Sequence, residues 1–259
     1  VTANQRAAAQ GLDSLPANGT LRRTMLGLYE TEAPQVFDAL SGEIHASVPT
    51  ALVGETEHVQ RGLFSRLQGP REGAAVWTQA LGSWGEADGQ HGVQDIETSS
   101  AGLLFGVDHQ WSGLTLGLAG GYIRSSHERQ SFDASMDADS YYLGAYAGRD
   151  YGALSVRVNG AYGHHALSSD RRLSLAGQGE QLKARYDATS LQAAAEASWR
   201  LETAPSDIEP FARLSYVHLD ADRVSETGGM AALNGQADAV EALTSTLGLR
   251  AGDYIELAG

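Results

Sequence analysis

Residues 188–201 alternate between two kinds of side chain. The odd-numbered positions are mainly apolar, whereas the even-numbered positions include Gln192, Glu196 and Arg200. A period of two predicts a β-strand whose two faces meet different surroundings. The run is much longer than the usual soluble strand of about 5–6 residues. Such length and two-sidedness are typical of a strand that separates lipid from water.

The same alternation recurs from residue 74 onward and predicts eight strands. They cover residues 74–85, 98–111, 114–124, 139–149, 153–164, 187–201, 208–219 and 240–251. Their second faces together carry Asp, Glu, Arg, Asn and Gln, a set that would be costly to leave unpaired in a dry core. A water-filled lumen tolerates these residues, so we predict a transmembrane antiparallel meander β-barrel in which strand order follows sequence order. We also predict that the first and eighth strands do not pair.

The predicted connections alternate between short and long. Short turns lie at residues 112–113, 150–152 and 202–207, and long polar loops lie at 86–97, 125–138, 165–186 and 220–239. Outer-membrane barrels have short periplasmic turns and long extracellular loops. Aromatic residues near many predicted strand ends suit the two interfacial girdles of such a barrel.

The first 70 residues follow a helical period instead. We predict helices over residues 3–15, 21–29, from 34 onward and over 50–67, with Pro16, Pro34 and Pro49 at their boundaries. The last helix is amphipathic. We therefore divide the chain into a helical linker and plug, residues 1–73, and a barrel, residues 74–259. The plug residues are Leu52, Glu55, Arg61, Leu63, Phe64 and Arg66.

Composition narrows the function classes. The 259 residues carry a net charge of −14 with only 18 Lys and Arg, so no basic stripe favours nucleic acid. The chain has no cysteine, which excludes disulfides and thiolate metal sites. No apolar run approaches the length of a membrane-spanning helix. Val1 is not followed by a signal peptide, so we expect an exported protein of this kind to be a mature or truncated fragment.

Candidate catalytic and metal-binding chemistry is weak. His164 and His165 are adjacent but lack a third ligand at metal-site spacing. Acidic residues in the predicted loops allow two interpretations, a weak calcium site or acids that are simply solvated, and we favour the second. No G-x-S-x-G or HExxH motif occurs. We therefore expect no catalytic, cofactor-binding or metal-binding residue. The loop acids in question are Asp137, Asp139, Asp170, Asp220 and Asp222.

Three stretches give the chain a family resemblance. They are Asn4-Gln5-Arg6-Ala7-Ala8-Ala9, then Ala39-Leu40-Ser41-Gly42-Glu43-Ile44-His45-Ala46-Ser47, and then Val76-Trp77-Thr78-Gln79 with Gly82-Ser83-Trp84-Gly85, Gly102 to Asp108 and Gly117 to Tyr122. In this order and spacing they resemble the linker, pre-barrel helix and first strands of type Va autotransporter translocator domains of the pertactin-like kind. The resemblance covers the whole chain.

The resemblance implies a fold and a function. The family's barrel has twelve strands around a helix, whereas this sequence has about eight and ends at Gly259. An eight-stranded barrel is just filled by side chains, and a helix is about 10–12 Å across, so we expect about four further strands. The implied function is export and anchoring of an N-terminal passenger in the outer membrane of a Gram-negative bacterium. The implied partners are outer-membrane lipid, the passenger and the barrel-assembly machinery; we expect a monomer and no nucleic acid.

These expectations assign each face. We predict that residues 51–67 form a helix inside the barrel, running from the extracellular to the periplasmic end, with Arg61 and Arg66 meeting lumen acids. The residues expected to face the lumen are Asp108, Arg157, Glu196, Arg200, Glu209 and Arg213. Those expected to face lipid are Leu103, Phe105, Val107, Leu191, Trp199 and Leu247.

Rival interpretations remain open at this point. A small closed outer-membrane barrel, porin-like or adhesive, explains the ending but leaves the helical first 70 residues unexplained. A soluble β-sandwich binding module would need apolar second faces, which the sequence lacks. An enzymatic passenger could precede this region.

Overall fold

The N-terminal part of the computed structural model is helical. The structure describes residues 3–16, 18–27, 33–68, 72–87, 96–129, 134–175, 178–203 and 206–252. Its helices are α1 (Ala3–Asp13), α2 (Thr20–Leu26), α3 (Ala33–Leu40) and α4 (Glu43–Arg66). The predicted helix boundary at Pro49 is wrong, because α4 continues through it. A proline inside a helix costs about 3 kcal/mol. Buried Val48 and Leu52 flank Pro49, and their packing offsets that cost.

The remaining chain is a single large sheet and one small hairpin. The large sheet has the order β1-β2-β3-β4-β5-β6-β8-β11, with β7 paired to β8, and all its neighbours are antiparallel. This confirms the predicted meander of eight long strands. Within the described residues no ladder joins β1 to β11, as predicted. The strands are β1 (Gly73–Ala87), β2 (Ile96–Trp111), β3 (Leu114–Arg129), β4 (Ala134–Tyr151), β5 (Leu154–Leu175), β6 (Gln178–Trp199), β7 (Leu201–Thr203), β8 (Ser206–Ala221), β9 (Val224–Ser225), β10 (Asn234–Gly235) and β11 (Val240–Gly252).

Two predicted long loops are largely strand. The β5–β6 ladder extends from Leu154 opposite Trp199 to Leu175 opposite Gln178, so most of residues 165–186 belongs to a hairpin. Strands β3 and β4 likewise pair as far as Arg129 and Ala134. The polar composition of these segments indicated loops, but their alternation persists: Leu173 and Leu182 are buried, whereas Lys183 is exposed. We call this the long-hairpin end, and the end with the turns at 112–113 and 152–153 the short-turn end.

The two faces of the large sheet differ in exposure. Large apolar side chains project from the outer, convex face, including Leu103, Phe105, Val107, Leu191, Trp199, Leu214 and Leu247, each at least half exposed. The alternate positions point to the concave face and are buried; on β6 these are Ser190, Gln192, Ala194, Glu196 and Ser198. The period of two therefore continues along the strands, as the alternating burial of β6 illustrates.

Helix α4 lies along the concave face. At the long-hairpin end its first half packs Ile44, Val48 and Leu52 against β4, β5, β6 and β8. At the short-turn end Val59, Leu63 and Leu67 pack against β1 to β4. The helix therefore runs from the long-hairpin end to the short-turn end, in the direction that the sequence predicts.

The first three helices lie at the long-hairpin end. Their apolar residues cluster with Leu40, Leu173, Leu182 and Ala231, which places them over the β5–β6 hairpin and the loop before β11. No helix in the described ranges combines the length and apolar character that a membrane-spanning helix needs.

Some sequence-based expectations lie outside the described residues. They concern the end of the predicted second helix at 28–29, the connection at 69–71, most of the loop at 86–97, the centre of the turn at 204–205 and the C-terminal residues 253–259.

Two glycines of α4 give a matched test of how closely the helix sits on the sheet. A Cβ atom at Gly62 would lie 2.6 Å from Leu104 Cδ1, and Leu104 is itself held against Gly121. A Cβ atom at Gly54 would meet no atom within 4 Å. We predict that Gly62→Ala lowers the free energy of unfolding by about 1–3 kcal/mol because it overpacks this contact. Gly54→Ala should raise it by about 0.5–1 kcal/mol. Urea unfolding monitored by tryptophan fluorescence measures both, and an equal effect of the two substitutions would contradict this packing.

Candidate functional site

The candidate site is the concave face together with α4. Its first anchor is Arg66 in the last turn of the helix. Arg66 Nε and Nη2 donate to the two carboxylate oxygens of Asp108 at 2.6 and 3.0 Å. Tyr146 donates to the same carboxylate at 2.8 Å, and the Trp77 indole donates to Tyr146 at 2.6 Å. This chain of charge-assisted bonds ties the helix to β1, β2 and β4.

A second anchor surrounds Glu196, whose side chain is fully buried. Arg213 and Arg250 approach one carboxylate oxygen at 2.6 and 2.7 Å, and Arg157 approaches the other at 3.4 Å. Glu209 adds a second carboxylate, 3.3 Å from Arg157 and 3.1 Å from Arg250. Three guanidinium groups and two carboxylates from β5, β6, β8 and β11 thus form one network.

This network also holds the C-terminal end of α4. Arg157 Nε donates to the Leu67 carbonyl at 3.2 Å, which places a cation where a helix terminus carries partial negative charge. The guanidinium of Arg213 lies 4.2 Å from the centre of the Phe64 ring, a cation–π contact. Arg250 stacks on Phe211 at 4.0 Å.

A third set of contacts lies midway along α4. Buried Glu55 accepts hydrogen bonds from Ser125 and Tyr142, both at 2.8 Å. One of its oxygens lies 4.0 Å from His165. His165 is itself buried between the hydroxyls of Ser140 and Ser190, at 2.8 and 3.0 Å.

A fourth set, which we call the Glu226 clamp, lies at the long-hairpin end. Arg171 of β5 donates to both oxygens of Glu226 at 2.7 and 2.6 Å, and also to the Ala39 carbonyl. His45 of α4 bonds the same carboxylate at 2.8 Å, and the Leu233 amide donates to it at 2.9 Å. Burial alone would raise the pKa of Glu226, but hydrogen bonds from His45 and Arg171 and the charge of Arg171 lower this pKa to about 2.

The structure brings together most of the residues that the sequence singles out. Leu52, Leu63 and Phe64 are each 1% exposed against the sheet, and Glu55 and Arg66 bond it as described. Asp108, Arg157, Glu196, Glu209 and Arg213 all lie on the concave face.

Two of those predictions are wrong. Arg61 is exposed, and it bonds the Glu57 carbonyl and His58 of its own helix rather than an acid of the sheet. It lies on the exposed side of α4. Arg200 is exposed in the turn that follows β6, because that strand ends at Trp199 and the alternation no longer continues.

Several residues that contact α4 or its anchors were not predicted from the sequence as part of the site. Tyr142, Tyr146 and Trp77 have apolar rings that resemble core or girdle residues, and only their hydroxyl or indole bonds place them in the site. Arg171 and Glu226 fall in segments that were predicted as loops. A period of two that persists through the charged segment 166–174 is the signal that could have located Arg171.

The polar side chains of this site serve to hold the helix and the strands together. Among the described residues no group of three or more His, Asp or Glu side chains is placed to hold a metal ion. The buried charges and hydroxyls of the anchors are occupied in bonds between α4 and the strands, or among the strands. What the arrangement does is fix one helix in one position along a concave sheet.

Comparison with known proteins identifies the family. Residues 76–259 match the family described as "Autotransporter beta-domain". The chain belongs to the autotransporter β-domain family. As the sequence predicts, this places it among the outer-membrane β-barrels of Gram-negative bacteria. The translocator domain of autotransporter NalP from Neisseria meningitidis has a similar fold, with a TM-score of 0.65 and 20% identity, covering 80% of this chain and 71% of that one.

Other autotransporter relatives agree. The β domain of the Bordetella autotransporter BrkA has a TM-score of 0.57 and 20% identity, covering 73% of this chain and 74% of that one. A Serratia marcescens protein named "Extracellular serine protease" is 32% identical over 250 residues, covering 92% of this chain but 24% of that protein. A second protein of that name and organism is 31% identical over 259 residues. The chain thus spans about a quarter of the length of these curated relatives.

The Glu196 network allows a direct test in this autotransporter domain. Glu196→Gln leaves three arginines with one carboxylate in a buried site, so we predict a loss of about 3–5 kcal/mol in the free energy of unfolding. The matched control is Arg200→Gln, an exposed turn residue, which should change stability by less than about 0.5 kcal/mol. Urea unfolding in detergent micelles measures both. If Glu196→Gln changed the free energy of unfolding as little as Arg200→Gln, the network would contribute little to stability.

The Glu226 clamp predicts an acid-sensitive loop. Because the pKa of Glu226 is lowered, its stabilising contribution is complete above the ordinary carboxyl value of 4.5 and is lost as pH falls from there towards about 2. Amide hydrogen exchange of residues 222–235, corrected for intrinsic rates, should therefore accelerate over that range. Glu226→Gln should exchange fast already at pH 6. Asp222→Asn, an exposed acid of the same loop, should behave like the parent, and a parent whose loop protection does not change with pH would refute the clamp.

Proposed function

We propose that this chain is the translocator domain of its protein, exporting an N-terminal passenger across the outer membrane and anchoring it there. The observation that carries the proposal is the path of the chain. From α1 to α3 it lies at the long-hairpin end, and it then passes along the whole concave face as α4. At the short-turn end it turns back into β1. A polypeptide that precedes α1 is thereby placed on the side opposite to the short turns.

The orientation follows from the lengths of the connections. Short turns face the periplasm in outer-membrane barrels, and the long connections face outward. The long-hairpin end is then extracellular, and α1 to α3 lie outside the cell. Helix α4 tethers the passenger to the barrel and fills its lumen, held by Arg66 near the periplasmic side and by His45 near the outer side.

The convex face contacts outer-membrane lipid in this proposal. Its apolar side chains form a continuous surface that is unusual on a soluble monomer. Leu191, Leu214 and Leu247 project from this face on β6, β8 and β11 and are each more than half exposed. We propose insertion by the barrel-assembly machinery and a monomeric state, since a closed barrel leaves no sheet edge for self-association.

Closure requires strands next to β1 and β11. Among the described residues these two strands have partners on one side only. An exposed stripe of α4 carries Glu57 and Arg61. We propose that about four further strands close the barrel over this side of α4.

We propose that the domain itself is not an enzyme. The name of the Serratia relatives refers to a serine protease, but this chain corresponds to about a quarter of their length. Any catalytic activity of the full protein then belongs to the passenger. The alternative of a small closed porin-like or adhesive barrel is disfavoured because it leaves no room for α4.

Epitope tags in the full-length protein test the proposed function. A tag after Asn18, between α1 and α2, should be cleaved by protease added to intact cells. A tag at the Ser112–Gly113 turn should be cleaved only after the outer membrane is opened. A reporter fused before Val1 should reach the cell surface. If the reporter remains in the periplasm while the domain is correctly inserted, the translocator function is wrong.

Deleting residues 50–68 from the full-length protein tests the plug. We predict that the deleted form inserts normally but conducts much more current in planar bilayers, since the lumen loses its helix. Deleting residues 3–16, which removes α1 and keeps α4, serves as the control and should leave the conductance near that of the parent. Equal conductance of the parent and the 50–68 deletion would contradict a plug role.

A further inference from the structure

The two sides of α4 meet different surroundings in its second half. Towards β1 to β4, Val59, Leu63 and Leu67 enter an apolar cluster. Towards β5 and β6, the concave face presents two amide side chains, Asn159 and Gln192, which are 6% and 1% exposed. Neither the nitrogen nor the oxygen of either amide finds a hydrogen-bond partner among the described residues, and the same is true of Gln60 Nε2 on the helix.

These three amides lie at nearly the same level of the sheet. Asn159 is opposite Ala194, and Gln192 lies two positions further along β6 on the same face, so the two amides are diagonal neighbours about 7–8 Å apart. Gln60 precedes Phe64 by one helical turn of about 5.4 Å. Phe64 contacts Arg213, which is opposite Glu196. Two strand residues span about 6.6 Å, so one turn back along α4 reaches the level of Ala194 and Asn159.

Unpaired buried amides are costly, and water molecules are the usual partners of buried polar groups that the protein leaves unsatisfied. Five unpartnered polar atoms on three neighbouring side chains provide the two to four partners that a buried water needs. We infer that a cluster of bound water molecules occupies a seam between α4 and strands β5 and β6, so that the plug is wet on this side.

The seam continues towards the short-turn end. There it meets the Glu196 network, whose Glu209 and Arg250 side chains are 18% and 24% exposed. Water in the seam is therefore connected through partly exposed charges to the solvent at that end.

The opposite end of the seam is less polar. Around the first half of α4 the concave face carries mainly apolar side chains, with buried Ser169 among them, and Ile44, Val48 and Leu52 of the helix are each less than 9% exposed. We call this cluster the apolar collar; its sheet residues are Ala134, Met136, Ala138, Leu167, Ala184, Tyr186, Ala188, Leu219 and Ala221. The barrier to water and ions accordingly lies in the collar, at the outer end of α4, and the rest of the helix serves as a tether. This inference rests on the proposed function, since it assigns where the plug seals.

Single cysteines test this division, because the chain has none of its own. Gln60→Cys and Gln192→Cys lie in the seam, whereas Leu52→Cys and Leu219→Cys lie in the collar. All four parent side chains are 1–2% exposed, so burial alone predicts equal rates. Rates of modification by a small, water-soluble methanethiosulfonate would be measured on the full-length protein in lipid vesicles made permeable to the reagent. Labelling of the parent is subtracted, and correct folding is checked by resistance to SDS.

We expect the two seam cysteines to react at least several-fold faster than the two collar cysteines. Equal rates, or faster reaction in the collar, would overturn the inference. If a variant fails to fold, Asn159→Cys and Val48→Cys form a second seam and collar pair, at 6% and 4% exposure. The result is separable from the proposed function. If deleting residues 50–68 opens the pore while all four cysteines react alike, only the wet seam and collar are wrong.

Discussion

The structure depends on one constraint, which is that the concave face of the sheet cannot pack against itself. It carries buried carboxylates and guanidiniums such as Glu196 and Arg157, and a dry sheet-on-sheet core would leave such groups without partners. Helix α4 resolves this by supplying Arg66 to Asp108, Glu55 to the hydroxyls of β3 and β4, and its last carbonyl to Arg157. The candidate site is the set of contacts between the sheet and that helix.

Periodicity predicted the sheet because the two faces of its long strands meet different surroundings, and a period of two is a local property of the sequence. The amphipathic segment 51–67 was predicted as a helix from its helical period, which is also local, and its role as a plug was implied by the family resemblance. Two predictions were wrong: a helix boundary at Pro49 and a loop over residues 165–186. In both segments local propensity is outweighed by packing, of Val48 and Leu52 in the helix and of Leu173 and Leu182 in the hairpin. The Glu226 clamp could not be predicted, because His45 lies 181 positions from Glu226 and no local pattern joins them.

The charged anchors and the apolar contacts have different roles in placing α4. Apolar contacts are non-directional, so an apolar helix could slide or rotate along an apolar groove with little loss of stabilising free energy. A bidentate pair such as Arg66 with Asp108 has only one good geometry and therefore fixes the register. The clamp at His45 and the anchor at Arg66 are near opposite ends of α4, so together they fix both its position and its rotation.

This placement has a consequence for how the domain is assembled. The Glu196 network takes residues from β5, β6, β8 and β11, strands that follow one another along the chain. Until β11 has paired with β8, Arg250 does not reach Glu196, and this carboxylate has fewer positive partners. The C-terminal end of α4, bound by Arg157 and stacked through Phe64 on Arg213, is therefore fixed fully only when the last of these strands is in place. Order of strand pairing thus sets when the helix becomes immobile: an incomplete sheet offers an incomplete set of anchors, and a finished sheet holds the last turn of α4.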